Sequence, residues 1–343
     1  MQKWYETEGR SQETVVASRV RLLRNLKDYL FPVKLPEEEK KKLTDQLHSQ
    51  LQGISTVTGL SFHNASFQKF DQNQKEALRE RHVINRSAAQ KDGAVGLMLS
   101  EDESVSLVFN ADDHIRLQVS SSGLNLEGAW SRADRIDDFI NERFAYGFDQ
   151  RFGYMTTYPS NLGTGMRAYL ILHLPMLAAT GRMQTLAGEV GRFGVALKDA
   201  YTEDGENLGD LYVAYNQKTL GQSEDDIAAV LTKLGGQIAF QEKKLRRHAA
   251  QNHHLERQDA IYKAYGSLKY ARILTLKDAM QALSVLRLGA CEKLVPMEDF
   301  NRLYKLMMDV QPYNLQIHYQ KPLKGIELDQ ARAEYLRENL PEL

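Results

Sequence analysis

Tyr158-Pro-Ser-Asn-Leu-Gly-Thr-Gly-Met-Arg167 joins a glycine-bracketed turn to an arginine at the start of an apolar run. Glycine lets a backbone approach a neighbour closely, so Gly163 and Gly165 suit a turn wrapped against a ligand, and Arg167 stands where a planar cation meets an anion. The run from Met166 to Leu177 reads as an apolar helix truncated or kinked at Pro175, with its N-terminus facing the anion. Gly-Thr-Gly turns are common. The stretch gains weight from two arginine clusters upstream, Ser18-Arg19-Val20-Arg21 and Asn110-Ala-Asp-Asp-His-Ile-Arg116.

The chain has 343 residues, 42% of them hydrophobic, which is enough for a sizeable core and about two domains. With 44 basic residues against 45 acidic ones there is no global field, so neither nucleic acid nor a membrane surface is an expected partner. Cys291 is the single cysteine, which excludes an intramolecular disulfide, and the polar start Met1-Gln-Lys-Trp-Tyr-Glu6 lacks the apolar core of a signal peptide. The longest apolar run, Ala168 to Ala179, is interrupted by His173 and Pro175 and is too short to span a bilayer. A cytoplasmic location is expected.

The segment from Val15 to Leu22 reads as extended, and Pro36-Glu-Glu-Glu39 opens a helix carrying Leu43, Leu47 and Leu51 that ends at Gly53. Ala94 to Ser100 and Val105 to Phe109 form a hairpin across Glu101-Asp-Glu-Ser104, and the alternation in His114-Ile-Arg-Leu-Gln-Val-Ser120 extends it to an antiparallel meander. Asn110 to Asp113 then occupy a tight connection at the sheet's edge. Gly128 to Tyr146 reads as a helix. A capping box at Ser223-Glu-Asp-Asp226 opens a long helix with Ile227, Val230, Leu231, Leu234 and Ile238 on one side, ending in the basic run Lys243 to Arg247. The polar stretch Ala249 to Leu255 marks a boundary between a domain of residues 1–250 and a second of residues 256–343. In the second, Asp259 to Gly266, Leu276 to Leu288, Met297 to Asp309 and Leu328 to Leu340 read as a small helical bundle.

Arg19, Arg21, Arg116 and Arg167 are always-charged forks of the kind that meet phosphate bidentately; each taken alone reads first as a salt-bridge residue, and it is the group that points to phosphate. Neither a phosphate-binding Gly-x-x-x-x-Gly-Lys-Ser/Thr loop nor a His-Glu-x-x-His zinc motif is present, so a nucleotide would have to be held by arginines. Asp112 and Asp113 either cap a turn or place one carboxylate where it can orient a guanidinium nucleophile and accept its proton. His82 and His114 have no second histidine at ligand spacing and read as packing or hydrogen-bonding residues, so no protein metal site is expected. His253-His254 reads as a solvated linker.

Taken together, the three segments resemble the phosphagen kinase (ATP:guanido phosphotransferase) family, in particular its bacterial protein-arginine kinase branch. The likeness runs from Ser18 to about Arg337 and includes Asn216-Gln-Lys-Thr-Leu-Gly221. It implies an α+β catalytic domain, an antiparallel sheet flanked by helices, followed by a small helical domain that binds phosphoarginine. By that resemblance Ser18, Arg19, Arg21, His82, Arg116, Arg167 and Lys198 line the site for ATP, with magnesium (Mg2+) bridging the phosphates. Asp112 takes the place of the catalytic glutamate, Glu203 that of the second guanidinium-binding carboxylate, and Arg167 completes the catalytic set. The implied reaction moves the γ-phosphate of ATP to arginine side chains of proteins. The branch also implies a role in protein quality control and stress response, an activator protein, a chaperone-protease partner and a homodimer.

The departures from the family pattern gather around the implied site. Asn-Glu-Glu-Asp-His becomes Asn110-Ala-Asp-Asp-His114, which removes one carboxylate and shortens another by a methylene. A displacement of about 1 Å can cost on the order of a hundredfold in rate. Tyr158 replaces a reactive cysteine, Lys198 replaces an arginine, and the loop Asp199 to Gly205 lacks the usual glycine spacing. In the second domain the motif Arg-Asp-x-x-Arg-Ala becomes Leu328-Asp-Gln-Ala-Arg-Ala333, leaving Asp329 for the guanidinium and Arg332 for the phosphate. A protein-arginine kinase is the leading expectation. Beside it stand a degenerate paralogue serving as a regulatory or binding subunit and, less supported, a kinase for free arginine or creatine.

Overall fold

The computed structural model describes residues 2–297 and 299–343; Met1 and Glu298, each part of a stretch read above, lie outside them. The strands are β1 Val15–Arg24, β2 Phe62–Ser66, β3 Gly96–Ser100, β4 Val105–Phe109, β5 Ile115–Ser122, β6 Phe148–Asp149, β7 Gly153–Tyr154 and β8 Met166–His173. After these come β9 Val195–Asp199, β10 Thr202–Glu203, β11 Glu206–Asn207 and β12 Leu211–Asn216. Eight of them form one antiparallel sheet in the order β2-β3-β4-β5-β1-β8-β12-β9, while β6-β7 and β10-β11 are small separate hairpins.

In the first part of the chain the helices are α1 Glu37–Gln50, α2 Ile54–Thr58, α3 Gln72–Glu80, α4 Arg86–Ala89, α5 Leu126–Asn141, α6 Pro175–Ala179, α7 Met183–Gly191 and α8 Glu224–Asn252. The second part holds α9 His254–Tyr270, α10 Leu276–Cys291, α11 Asn301–Asp309, α12 Pro312–Tyr319 and α13 Ile326–Asn339. The expected α+β class, sheet flanked by helices, is what the chain forms. The capping box is present: Ser223 Oγ accepts from the Asp226 amide at 3.1 Å and opens α8.

The predicted helix from Met166 to Leu177 is instead strand β8 followed, after Leu174, by the single turn-and-a-half of α6. β8 lies between β1 and β12 with every residue but Tyr169 buried, so the run shows no alternation of buried and exposed positions. A short apolar run cannot be assigned to strand or helix by periodicity alone. The polar boundary stretch is also not a linker, because α8 continues to Asn252 and only His253 interrupts helix before α9 begins. The helical pattern from Met297 starts at Asn301, and α12 is an additional helix too short to show a period.

The two faces of the sheet have different fates. Val20 and Leu22 of β1 point into the larger core, with Leu117, Leu170 and the inner faces of α5 and α8. Alternate residues Arg19 and Arg21 point the other way. On that second face, α3 and α4 cover Val108 and Leu97 at one end. The helices of the second domain cover Val16, Ala17, Ile171 and Leu211 at the other. A register shift between Val15 and Ala17 reverses the alternation and sends Val15 to the first core and Val16 to the second. Between the two covered ends the second face stays open, and this gap is where the polar residues gather.

Candidate active site

Register brings the cations together. Arg21 of β1 stands opposite Gln118 of β5 on one side and Arg167 of β8 on the other, and Arg19 stands opposite Ser120 and Tyr169. Arg116 follows on β5 from Gln118 with the same facing, and Lys198 reaches the same face through Val213 and Ile171. A cavity of about 600 Å³ lies over this patch. Its walls are the end of α3 and the turn into α4 (Arg79, Glu80, His82, Arg86), the β10 hairpin strand (Thr202, Glu203) and the start of α12 (Pro312, Tyr313).

Arg79 at the wall is paired with Glu76, but Arg19, Arg21 and Arg116 on the sheet have no carboxylate partner. Arg19 donates from Nε to Ser120 Oγ at 3.2 Å, and Arg116 donates from Nη2 to Gln118 Oε1 at 2.6 Å. Arg19 Nη2, Arg21 Nε and Arg116 Nε are buried with no partner. A buried unpaired donor costs about 1–3 kcal/mol, and more when charged, so three of them in one cavity mark a site built for an anion. Burial, then the neighbouring Arg21, pulls the Arg116 guanidinium down to about 9, and burial lowers Arg19 as well. The Arg21 guanidinium also lies 5.6 Å from the Tyr169 ring centroid, which helps to fix it.

His82 has left-handed backbone (φ 62°) and its Nε2 lies 2.7 Å from Tyr201 Oη. Burial and the charge of Arg19 hold it well below the usual imidazole range, so it is neutral. His114, as expected, is a packing residue. Its Nδ1 accepts from the Leu26 amide at 3.2 Å, and burial lowers it to about 4.

Several site expectations need correction. The Ser18 side chain lies on the opposite face of β1, where it is buried, donates to Gly123 O at 2.7 Å and accepts from the Asn125 amide at 2.9 Å; strand alternation keeps it out of the cavity. Arg167 neighbours Arg21 but does not line the cavity, and it starts a strand, so no helix N-terminus faces an anion there. Its donors go to Asn161 Oδ1 at 3.1 Å, Ser160 O at 2.8 Å and Asn216 O. The glycines of the turn serve backbone packing: a Cβ on Gly163 would lie 2.2 Å from Thr219 O, and one on Gly165 2.7 Å from Leu23 O. The connection holding Asp112 and Asp113 sits at the ends of two interior strands, β4 and β5, and not beside an outer strand.

Of the two roles left open for the aspartates, Asp113 takes the first. Asp113 caps the turn, accepting from Asn25 Nδ2 at 2.6 Å and the Thr157 amide at 2.7 Å, with its carboxyl raised by burial. Asp112 is half-buried outside the residues lining the cavity, accepting from Ser87 Oγ at 2.7 Å with Lys91 Nζ at 3.6 Å. Glu203 is exposed on the hairpin at the cavity rim, and exposed Lys198 lies 5.2 Å from the Tyr215 ring centroid. The expected phosphoarginine pair is closed on itself: Arg332 is 1% exposed and donates to Val310 O at 3.1 Å, Leu274 O at 2.8 Å and Asp329 Oδ1 at 2.5 Å. Its Nε and Nη1 are both engaged by groups of the second domain. Among the described residues no cluster of three metal-ligating side chains exists.

Reading the sequence missed Arg79, Glu80, Arg86, Gln118 and Tyr313. Only Gln118 carried a signal, two residues after Arg116 in an alternating strand. Glu80 is the buried carboxylate of the site. Oε2 accepts from the amides of Tyr313 and Asn314, each at 3.0 Å, at the start of α12, and burial raises its pKa to about 7. The folded state therefore favours the protonated form. The stability this contributes is fully present below about pH 4.5, the ordinary value, and is lost as pH rises through about 7. Glu80→Gln keeps an acceptor for both amides, so it should flatten the melting temperature between about pH 5 and about pH 8 and raise it by about 2–4 °C at the upper end. Thermal melts of both proteins across that range check this; parallel pH profiles would contradict it.

Known proteins match the chain over nearly its whole length. The model for ATP:guanido phosphotransferase, C-terminal catalytic domain, matches residues 42–245. The chain belongs to the ATP:guanido phosphotransferase family. A second model, Protein-arginine kinase McsB C-terminal domain, matches residues 254–343 and so begins where α9 begins, while the first match ends within α8. A protein-arginine kinase of Caldanaerobacter subterraneus subsp. tengcongensis is 34% identical over 96% of this chain and 97% of its own. One of Syntrophomonas wolfei is 35% identical over 98% of this chain and 94% of its own. The solved structure of the duplicated taurocyamine kinase from Schistosoma mansoni superposes with a TM-score of 0.62 at 19% identity, covering 75% of this chain and 38% of that one, which shows the shared fold. An ATP:guanido phosphotransferase needs a polyanion held beside a guanidinium.

Proposed function

We propose that this protein is a protein-arginine kinase, moving the γ-phosphate of ATP to arginine side chains of other proteins. The observation that carries this reading is the trio of buried unpartnered donors on Arg19, Arg21 and Arg116 in one cavity. Phosphoryl transfer is governed mainly by positioning and charge neutralisation, which guanidinium groups gathered in one cavity would provide. Glu203 would hold the target guanidinium at the rim. Asp112 would orient the attacking nitrogen and take its proton as the N–P bond forms and the bond to the ADP oxygen breaks. Arg167, with the turn it secures, would support Arg21 from the adjoining strand. The cavity's two carboxylates are Glu80, already bound by α12, and Glu203. This set fits a magnesium ion brought in on the nucleotide's own oxygens, where it would neutralise phosphate charge, and not a metal caged by the protein. The second domain contributes Leu276, Gln311, Pro312 and Tyr313 to the cavity wall, a contribution that supports a protein substrate over a free amino acid.

A second reading, a nucleotide-binding subunit without turnover, is favoured by the engagement of Asp112 with Ser87 and Lys91 outside the cavity lining. Phosphorus NMR on the protein with magnesium-ATP and an arginine-rich unfolded protein separates the two. A phosphoramidate signal is expected, with Asp112→Ala slowing its appearance by on the order of a hundredfold or more. No signal, with ATP binding still seen by calorimetry, would establish the second reading.

A further inference from the structure

Gln118 is 5% exposed and uses both ends of its amide inside the candidate site. Oε1 accepts from Arg116 Nη2 at 2.6 Å, while Nε2 donates to His82 O at 2.7 Å. The next carbonyl, Val83 O, accepts from Arg116 Nη1 at 3.3 Å and from Ser106 Oγ at 3.0 Å. Two of the three Arg116 nitrogens are thus tied down, and the third, Nε, is buried without a partner. The same amide secures the carbonyl of His82, a non-glycine residue with left-handed backbone. Across the strand pair Gln118 stands opposite Arg21, whose Nε is also unpartnered.

We propose that Gln118 is a positioning residue for the phosphate clamp, fixing the Arg116 fork and locking the His82–Val83 turn to β5; the proposal rests on the nucleotide reading of this cavity. The requirement is for an amide. A carboxylate at this position keeps the acceptor for Arg116 but loses the donor to His82 O and neutralises a cation that phosphate needs. An apolar side chain of the same length leaves Arg116 Nη2 and His82 O both without partners. Gln118 therefore acts through Arg116 and need not touch the nucleotide.

The test is calorimetric binding of magnesium-ATP to the full chain and to Q118M and Q118E, with melting temperatures measured alongside. Q118M should weaken ATP binding roughly tenfold and Q118E roughly a hundredfold. In turnover assays the loss should fall mainly on KM for ATP, whereas a merely structural role would lower the melting temperature and the active fraction and leave the affinity of the folded protein unchanged. Q118N keeps both polar ends on a shorter stem; it replaces any variant that does not fold and should weaken binding roughly fivefold. Folded variants that all bind ATP within about twofold of the parent would overturn the proposal. A parent chain that binds no ATP would overturn the nucleotide reading along with it, so the two failures are distinguishable.

Discussion

Deletion of residues 254–343 is expected to leave a catalytic half that does not fold to a stable monomer. The second domain completes the layer over one end of the sheet, where Val16, Ala17, Ile171, Leu208 and Leu211 are each 3% exposed or less against its helices. Trp4 and Tyr5 share that core. Uncovering this surface forfeits on the order of 10 kcal/mol, comparable to the whole stability of a typical domain. Polar groups would be stranded as well. His173 Nε2 lies 2.8 Å from Ser284 Oγ, which donates to Asp210 at 2.6 Å. Arg287 of α10 approaches His173 Nδ1 at 2.8 Å and donates to Gln12 O at 2.7 Å and Glu13 O at 3.1 Å. Gel filtration and a circular-dichroism melt of the truncated chain give the answer. A soluble monomer melting within about 5 °C of the full chain would show that the two halves do not depend on each other.

Arg116→Met should make the ligand-free protein more stable while removing most of its affinity for ATP. The folded state holds this guanidinium at about 9, well below the ordinary arginine range, chiefly through burial and secondarily through Arg21. A base lowered in this way is charged at a cost, and the cost is fully present below about pH 9. Between that value and the ordinary one the unfolded chain binds more protons, so the parent should gain stability with rising pH where the variant does not. At neutral pH the melting temperature should rise by about 2–6 °C. The lost charge-assisted bond to phosphate should weaken ATP binding on the order of a hundredfold. Melts with and without saturating ATP test both halves of this expectation. A variant less stable than its parent but equally able to bind ATP would mean that Arg116 supports the fold and not the ligand.

The hairpin β3-β4, the strands β1 and β5, and the helices α1 and α8 were legible because each satisfies a local rule: alternation, a four-residue leucine repeat, or a cap at the start. Arg19, Arg21 and Arg116 were legible as phosphate candidates by residue type and by likeness to a family. Their convergence was not, since Arg19 and Arg116 are 97 positions apart and meet only through the β1-β5 register. Ser18 shows the limit of motif reading, because it lies between the cluster's residues in sequence and on the far side of the sheet in space.

By itself the sequence determined the α+β class, the family and the types of group that could meet a phosphate and a guanidinium. Those follow from local preference and chemical identity. Tertiary structure decided that Met166 to His173 is a central strand, since burial on both faces erases the alternation that would reveal it. It decided that Arg332 and Asp329 are bound to each other, because the fold of the second domain presents buried carbonyls that need a donor. And it made Gln118, Glu80 and Tyr313 part of one cavity, because hydrogen bonds between distant segments depend on how layers pack, a property no short stretch of chain carries.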